Sequence, residues 1–251
     1  MIEVIGLNKT FGNKHVLQGI DFTINKGMCN LVIGQSGSGK SVFLKSVVGL
    51  HPVDQGQILY DGRDLTKLKH NQLKALRKEI GMVFQGGALF NSSTVEENIK
   101  YPMDVFTKWS KKEKQDRIDF CLDRVNIQNS NHLYPSEISG GMQKRVAIAR
   151  AIALNPKYLF FDEPNSGLDP VTAIVIDDLI QEITKEFNIT TMVITHDMNS
   201  VMEIGENIMF VYQGNKWWEG NKSMIFKTDN TELNNFVFAS DLFKAIKTQV
   251  S

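Results

Sequence analysis

Residues 27–50 constrain this chain more than any other stretch. Gly27 supplies a turn, Met28 to Ile33 reads as a buried strand, and the run stops abruptly at Gly34. Then come Gly34-Gln35-Ser36-Gly37-Ser38-Gly39-Lys40-Ser41 and a segment, Ser41 to Leu50, in which Phe43, Leu44, Val47 and Val48 recur at helical spacing before Gly49 and Pro52 end it. A glycine-rich turn between a strand and a helix lets successive backbone N–H groups curl round phosphates while the helix start adds its positive end. Lys40 is placed to reach β- and γ-phosphates, and the Ser41 hydroxyl to ligate Mg²⁺. The candidate phosphate-binding set is therefore Gly34, Gln35, Ser36, Gly37, Ser38, Gly39, Lys40, Ser41 and the adjoining Val42.

A phosphate loop that does chemistry needs an acidic counterpart. Tyr158 to Phe161 is a compact apolar strand that delivers Asp162 and Glu163 to its carboxyl end. Asp162 suits metal binding through water, and Glu163 suits orienting and deprotonating an attacking water. Around these two elements strands and helices alternate. Ile2 to Leu7, Ile20 to Ile24, Gly56 to Gly62, Ile80 to Phe84 and Thr190 to Thr195 read as strands, and Lys111 to Val125, 139–155 and the segment opened by Pro170 as helices. This predicts an α/β fold with a mostly parallel sheet covered on both faces. Residues 206–220 predict a hairpin turning at Gly214-Asn215, with Trp217 and Trp218 as packing groups.

Composition excludes several classes. Lys plus Arg equals Asp plus Glu at 28 each, so no global charge draws the chain to nucleic acid. Cys29 and Cys121 lie far apart in apolar surroundings without a second pair at metal-ligand spacing, which fits core thiols in a reducing compartment. No apolar run approaches the ~18 residues of a membrane span, so any membrane role runs through a partner.

The stretch Tyr134-Pro135-Ser136-Glu137-Ile138-Ser139-Gly140-Gly141-Met142-Gln143-Lys144-Arg145-Val146-Ala147-Ile148-Ala149-Arg150-Ala151 resembles the signature region of the ATP-binding cassette family, and the resemblance extends over nearly the whole chain. It implies a P-loop NTPase fold with a RecA-like core, an antiparallel β subdomain and a helical subdomain. On that pattern 1–251 is one ATPase domain: 1–85 and 156–220 the core with its β subdomain, 86–155 the helical signature subdomain, 221–251 a tail. Ser139, Gly140 and Gly141 correspond to the signature that contacts the γ-phosphate held by a second subunit. Gln85 corresponds to the Q-loop glutamine that senses Mg²⁺ and γ-phosphate. Asp169, in Asn165-Ser166-Gly167-Leu168-Asp169, corresponds to the D-loop aspartate at the subunit boundary, His196 to the switch histidine and Phe11 to the aromatic that stacks on adenine.

The resemblance thus implies ATP and Mg²⁺ as ligands. Its catalytic residues are Glu163, His196, Gln85 and Lys40, and its metal ligands Ser41, Gln85 and Asp162. It also implies a homodimer of ATPase subunits, docked on an integral membrane permease at the cytoplasmic side of the inner membrane. Two departures stand out: Ile138 replaces the usual Leu and Met142 the usual Gln, and a methionine cannot supply amide contacts. Ser139-Gly140-Gly141-Met142 and Phe84-Gln85-Gly86-Gly87-Ala88-Leu89-Phe90 look like the ATPases of bacterial phospholipid transporters that work with MCE-domain proteins and a small cytoplasmic subunit. An amino-acid importer or a lipopolysaccharide-extraction ATPase would share every hydrolytic residue. A cassette of DNA repair or translation is opposed by the absence of a tandem cassette, a long coiled coil, a zinc-ligand set or a basic face. The tail carries Phe236-Val237-Phe238-Ala239 and Leu242-Phe243, which suit a small helix packed on its own core or a partner contact.

Overall fold

The computed structural model describes residues 1–239 of the chain. In chain order its strands and helices are β1 (Ile2–Phe11), β2 (Lys14–Ile24), β3 (Cys29–Ile33), α1 (Lys40–Val47), β4 (Gln55–Tyr60), β5 (Arg63–Asp64), α2 (His70–Lys78), β6 (Ile80–Val83), α3 (Val95–Phe106), α4 (Lys111–Arg124), α5 (Gly140–Ile152), β7 (Tyr158–Asp162), α6 (Pro170–Glu186), β8 (Thr190–Thr195), α7 (Met198–Ile204), β9 (Asn207–Tyr212), β10 (Asn215–Gly220), α8 (Lys222–Ile225) and α9 (Thr231–Val237). They fall into two compact units, Met1–Lys69 with Thr190–Ser251, and His70–Ile189.

The first unit holds two kinds of β structure, and the sequence pattern shows why. β1, β2, β4 and β5 form an antiparallel sheet in the order β2-β1-β4-β5, and β1 alternates between buried and more accessible residues, as a sheet with one wet face must. β3 is buried at every position and so is β8, the continuous apolar pattern of a strand covered on both faces. β3 pairs in parallel with β8 and with β9, and β10 closes back antiparallel on β9. The hairpin between β9 and β10 turns one residue earlier than expected, at Gln213 and Gly214, whose φ angles of 48° and 80° are both left-handed. Two positive φ angles match the right-handed twist of the flanking strands.

Trp217 packs its ring against Tyr212 at 5.4 Å and donates Nε1–H to Glu232 at 3.1 Å, yet remains 43% exposed. The tail up to residue 239 packs within this unit. Leu233, Val237 and Phe238 are buried, and Phe236 faces Phe210 at 5.4 Å. Leu242 and Phe243 lie outside the described residues.

The second unit is mainly helical around one parallel strand pair, β6 with β7. Its helices start at side-chain caps. Thr94 and Glu97 form a capping box for α3, Ser110 and Glu113 do the same for α4, Ser139 caps α5 and Asp169 caps α6. The buried Asn98 fastens the loop before α3 by donating to Phe90, Ser93 and Thr94 carbonyls at 2.9–3.1 Å and accepting from the Phe90 N–H at 2.8 Å. Among the described residues no helix is long and apolar enough to cross a membrane.

Candidate functional site

In the first unit the glycine-rich loop leaves β3 and enters α1 through Gly39, whose φ of 112° is left-handed. Among the described residues no side chain caps this helix start, so it presents backbone N–H groups where α3, α4, α5 and α6 present a hydroxyl or carboxylate. Gly34 has φ 150°, and a Cβ there would lie 2.3 Å from the Val211 carbonyl oxygen; only glycine fits against that strand. Lys40 is 5% exposed and its ammonium donates to the carbonyls of Gly34 at 2.7 Å and Gln35 at 3.0 Å, which folds the side chain back over the loop. The Ser38 hydroxyl is buried in the same loop without a hydrogen-bond partner among the described residues. Backbone donors, an ammonium and an unsatisfied hydroxyl in one concave turn fit a polyphosphate.

His196 reaches the same end of this unit for a topological reason. β3 and β8 run parallel with Ile33 opposite Thr195, so Gly34 and His196 are the next residues out of two adjacent strands. Phe11 lies at the end of β1, 44% exposed, with its ring edge-on to His51 at 5.3 Å and the Lys9 ammonium 5.2 Å from its centre. Lys9 is in turn ion-paired to Asp54 at 2.7 Å, and Asp54 also accepts from the Thr10 N–H at 2.6 Å. That clamp fixes the end of β1 and leaves an exposed aromatic surface.

The second unit gathers the acidic half. β6 and β7 are in register with Val83 opposite Phe161, so Gln85 and the Asp162-Glu163 pair emerge at one end. The Gln85 side-chain amide donates to Glu163 Oε2 and to Ser166 Oγ, both at 3.1 Å. Asp162 is 8% exposed, and Glu163 adopts a left-handed φ of 48° in a turn closed by the Ser166 N–H on the Glu163 carbonyl at 3.2 Å. A non-glycine residue in that region is costly and concentrates at functional sites.

Ser139 caps α5 by accepting from the Met142 N–H at 3.2 Å, and Gly140 and Gly141 open the helix. A Cβ on Gly141 would lie 2.7 Å from Thr172 Cγ2, so a side chain there would force Thr172 to shift. Asp169 accepts from the Thr172 N–H at 2.9 Å and from its hydroxyl at 2.6 Å, and these bonds hold its carboxyl below the usual value.

Three contributors were not read from the sequence. Asn165 donates to the buried Asp177 at 2.8 Å and ties the loop after Glu163 to α6. Lys144 and Arg150, which the sequence shows only as cations on a helix, both reach back to the segment that begins at Gln85. Lys144 donates to the Gln85 carbonyl, and Arg150 to the carbonyls of Gly87 and Ala88 at 2.7 and 2.8 Å. The signal for Lys144 was its place among the apolar positions of α5.

The family model for ABC transporters matches residues 17–166, which takes in the glycine-rich loop, the signature and the carboxylate pair. The chain belongs to the ABC transporter family. It is an ATPase cassette with the mixed α/β fold of P-loop NTPases. Among its relatives is the probable ribonucleotide transport ATP-binding protein mkl of Mycobacterium tuberculosis, 34% identical over 94% of this chain and 66% of that protein. The methionine import ATP-binding protein MetN of Clostridium tetani is 40% identical over 84% of this chain and 66% of that protein. The chain thus spans just under two thirds of the length of these relatives. This ABC cassette is also similar to the dimeric structure of the cassette MJ0796, with TM-score 0.81 and 31% identity over 88% of this chain and 99% of that one. It is similar as well to cbiO1 of Clostridium perfringens, part of the cbiONQ transporter complex, with TM-score 0.84 and 29% identity over 99% of this chain and 98% of that one.

Proposed function

We propose that this cassette hydrolyses ATP to drive a bacterial membrane transporter, and that its cargo is phospholipid handled with an MCE-domain protein. The observation that carries the hydrolytic part is the Gln85 amide on the Glu163 carboxylate at 3.1 Å, because it orients a carboxylate at the end of a buried strand. In this mechanism Glu163 orients and deprotonates the attacking water. Lys40 and the loop amides bind the phosphates, Phe11 stacks on adenine and His196 steadies the γ-phosphate. Bound Mg²⁺, held by Ser41, Gln85 and Asp162, would neutralise charge on the phosphate oxygens. Each of these side chains offers a hard oxygen of the kind Mg²⁺ takes.

Ser139, Gly140 and Gly141 would act on the nucleotide of a second copy, with Asp169 at the boundary between copies, so that a pair of chains closes on ATP and reopens after hydrolysis. The second unit carries a cavity of about 510 Å³ lined by Met82, Phe84, Phe90 and Tyr101, with Arg77 and Arg150 beside them. An apolar helix of a permease would seat there, with the cassette at the cytoplasmic side of the inner membrane as part of the same proposal. A small cytoplasmic subunit belongs to the same proposed assembly.

The phospholipid assignment is supported by the Ser139-Gly140-Gly141-Met142 and Phe84 to Phe90 stretches. The likeness to methionine import proteins favours a second reading, the ATPase of an amino-acid importer. Purifying the Glu163→Gln chain from native membranes with Mg²⁺-ATP separates them. A permease with an MCE-domain protein and bound phospholipid supports the first, and a permease with a solute-binding protein the second. The same variant should bind ATP and form a long-lived dimer while turnover collapses by at least ~100-fold; normal turnover would overturn Glu163 as the base.

A further inference from the structure

We propose that Lys144 is a positioning residue for hydrolysis: its ammonium, on α5, holds the backbone of Gln85, and so holds the Gln85 amide on Glu163. This rests on the reading of Glu163 and Gln85 given above.

Lys144 is only 7% exposed, an unusual place for a lysine. A buried ammonium must find compensation, and here it finds the Gln85 carbonyl as hydrogen-bond acceptor and the Glu163 carboxylate as a nearby opposite charge. Burial pulls the ammonium below its ordinary value, whereas Glu163 acts in the opposite sense. The bond from Lys144 to the Gln85 backbone thus ties α5 to the residue whose side-chain amide holds Glu163.

The loop it grips needs holding. Gly87 and Ala88 have left-handed φ angles of 72° and 49°, and the side chain of Gln85 is committed to Glu163 and Ser166. Arg150, on the same helix, anchors the next stretch of loop through the Gly87 and Ala88 carbonyls. With Arg150 alone, the loop would remain tied at 87–88 while the peptide of Gln85 became free to rotate. The amide would then leave the carboxylate, and Glu163 would lose its orientation, while Lys40 and the glycine-rich loop that bind the phosphates directly are unaltered.

The test is Lys144→Met in the full chain, which keeps the aliphatic stem and removes the charge. The expected result is a fall in kcat of roughly 10- to 100-fold with KM for Mg²⁺-ATP and affinity for a fluorescent ATP analogue within about 3-fold of the parent, and recovery of most of kcat in Lys144→Arg. An unchanged kcat overturns the proposal. So does a loss of kcat that Lys144→Arg fails to recover and that follows a fall in melting temperature, which would mark a purely structural lysine. If the methionine variant does not fold, Lys144→Gln is read by the same criteria. Glu163→Gln run alongside keeps the two readings apart: normal turnover there removes the hydrolytic assignment, whereas lost turnover there with normal turnover in Lys144→Met removes only the role of Lys144.

Discussion

At the residue scale one of the most conformationally demanding positions of this protein lies where phosphate chemistry is expected. Gly34 is that position, because the carbonyl of Val211 occupies the space a side chain would need. Gly34→Ala is therefore expected to lower stability by ~2 kcal/mol and to weaken nucleotide binding together with it, which denaturant unfolding and a binding titration would check. The identity of the loop was legible from the residues, since spacing of glycines with Lys40 and Ser41 is a local property. The reason Gly34 must be glycine was not, because Val211 lies far along the chain. The closeness of Gly141 to Thr172 was hidden likewise, as was the contact of Lys144, whose partner is a backbone carbonyl and so leaves no trace in residue identity.

At the element scale the helices of the second unit owe their starting points to caps. Thr94 accepts from the Glu97 N–H at 3.3 Å while Glu97 accepts from the Thr94 N–H at 2.8 Å. Thr94→Ala should cost ~1 kcal/mol, seen as a lower denaturation midpoint with an unchanged slope, and Thr94→Ser should recover most of it. α4 was read to within a residue, whereas β1 runs on to Phe11 and β2 starts at Lys14 and not at Ile20, and α3 was given no bounds. β3, β7 and β8 are short, mainly apolar runs buried at every position, whose type is written locally. α3 is a mixed segment containing Pro102, and Asn98, buried in its first turns, looks polar and exposed until its three carbonyl partners are known. The hairpin turn moved by one residue for a similar reason: Gln213 gives no hint of a left-handed φ, which the twist of β9 and β10 imposes.

At the scale of the whole molecule, folding hides both thiols, and this gives a global readout. Cys29 and Cys121 are fully buried, and burial pushes the Cys121 thiol up to about 11 from 9.0. A raised thiol favours the folded state below the unfolded value and loses that contribution as pH rises through the folded one. At about pH 8 a thiol reagent should leave the native chain unlabelled and label two thiols after denaturation, and the melting temperature should fall as pH rises above 9.0. Rapid labelling of native protein would contradict the packing of α4. What the sequence by itself determined is the chemistry on offer and its family: the phosphate loop, the carboxylate pair, the signature and their order along the chain are contiguous motifs whose physics is local. What only the tertiary structure decided is which of these groups meet. The parallel register of β6 and β7 brings Gln85 to Glu163, that of β3 and β8 sets Gly34 beside His196, and α5 lays Lys144 and Arg150 across the loop after Gln85. Such meetings depend on strand register and helix packing between distant segments, and those are settled by burial of the shared core and not by any one stretch of residues.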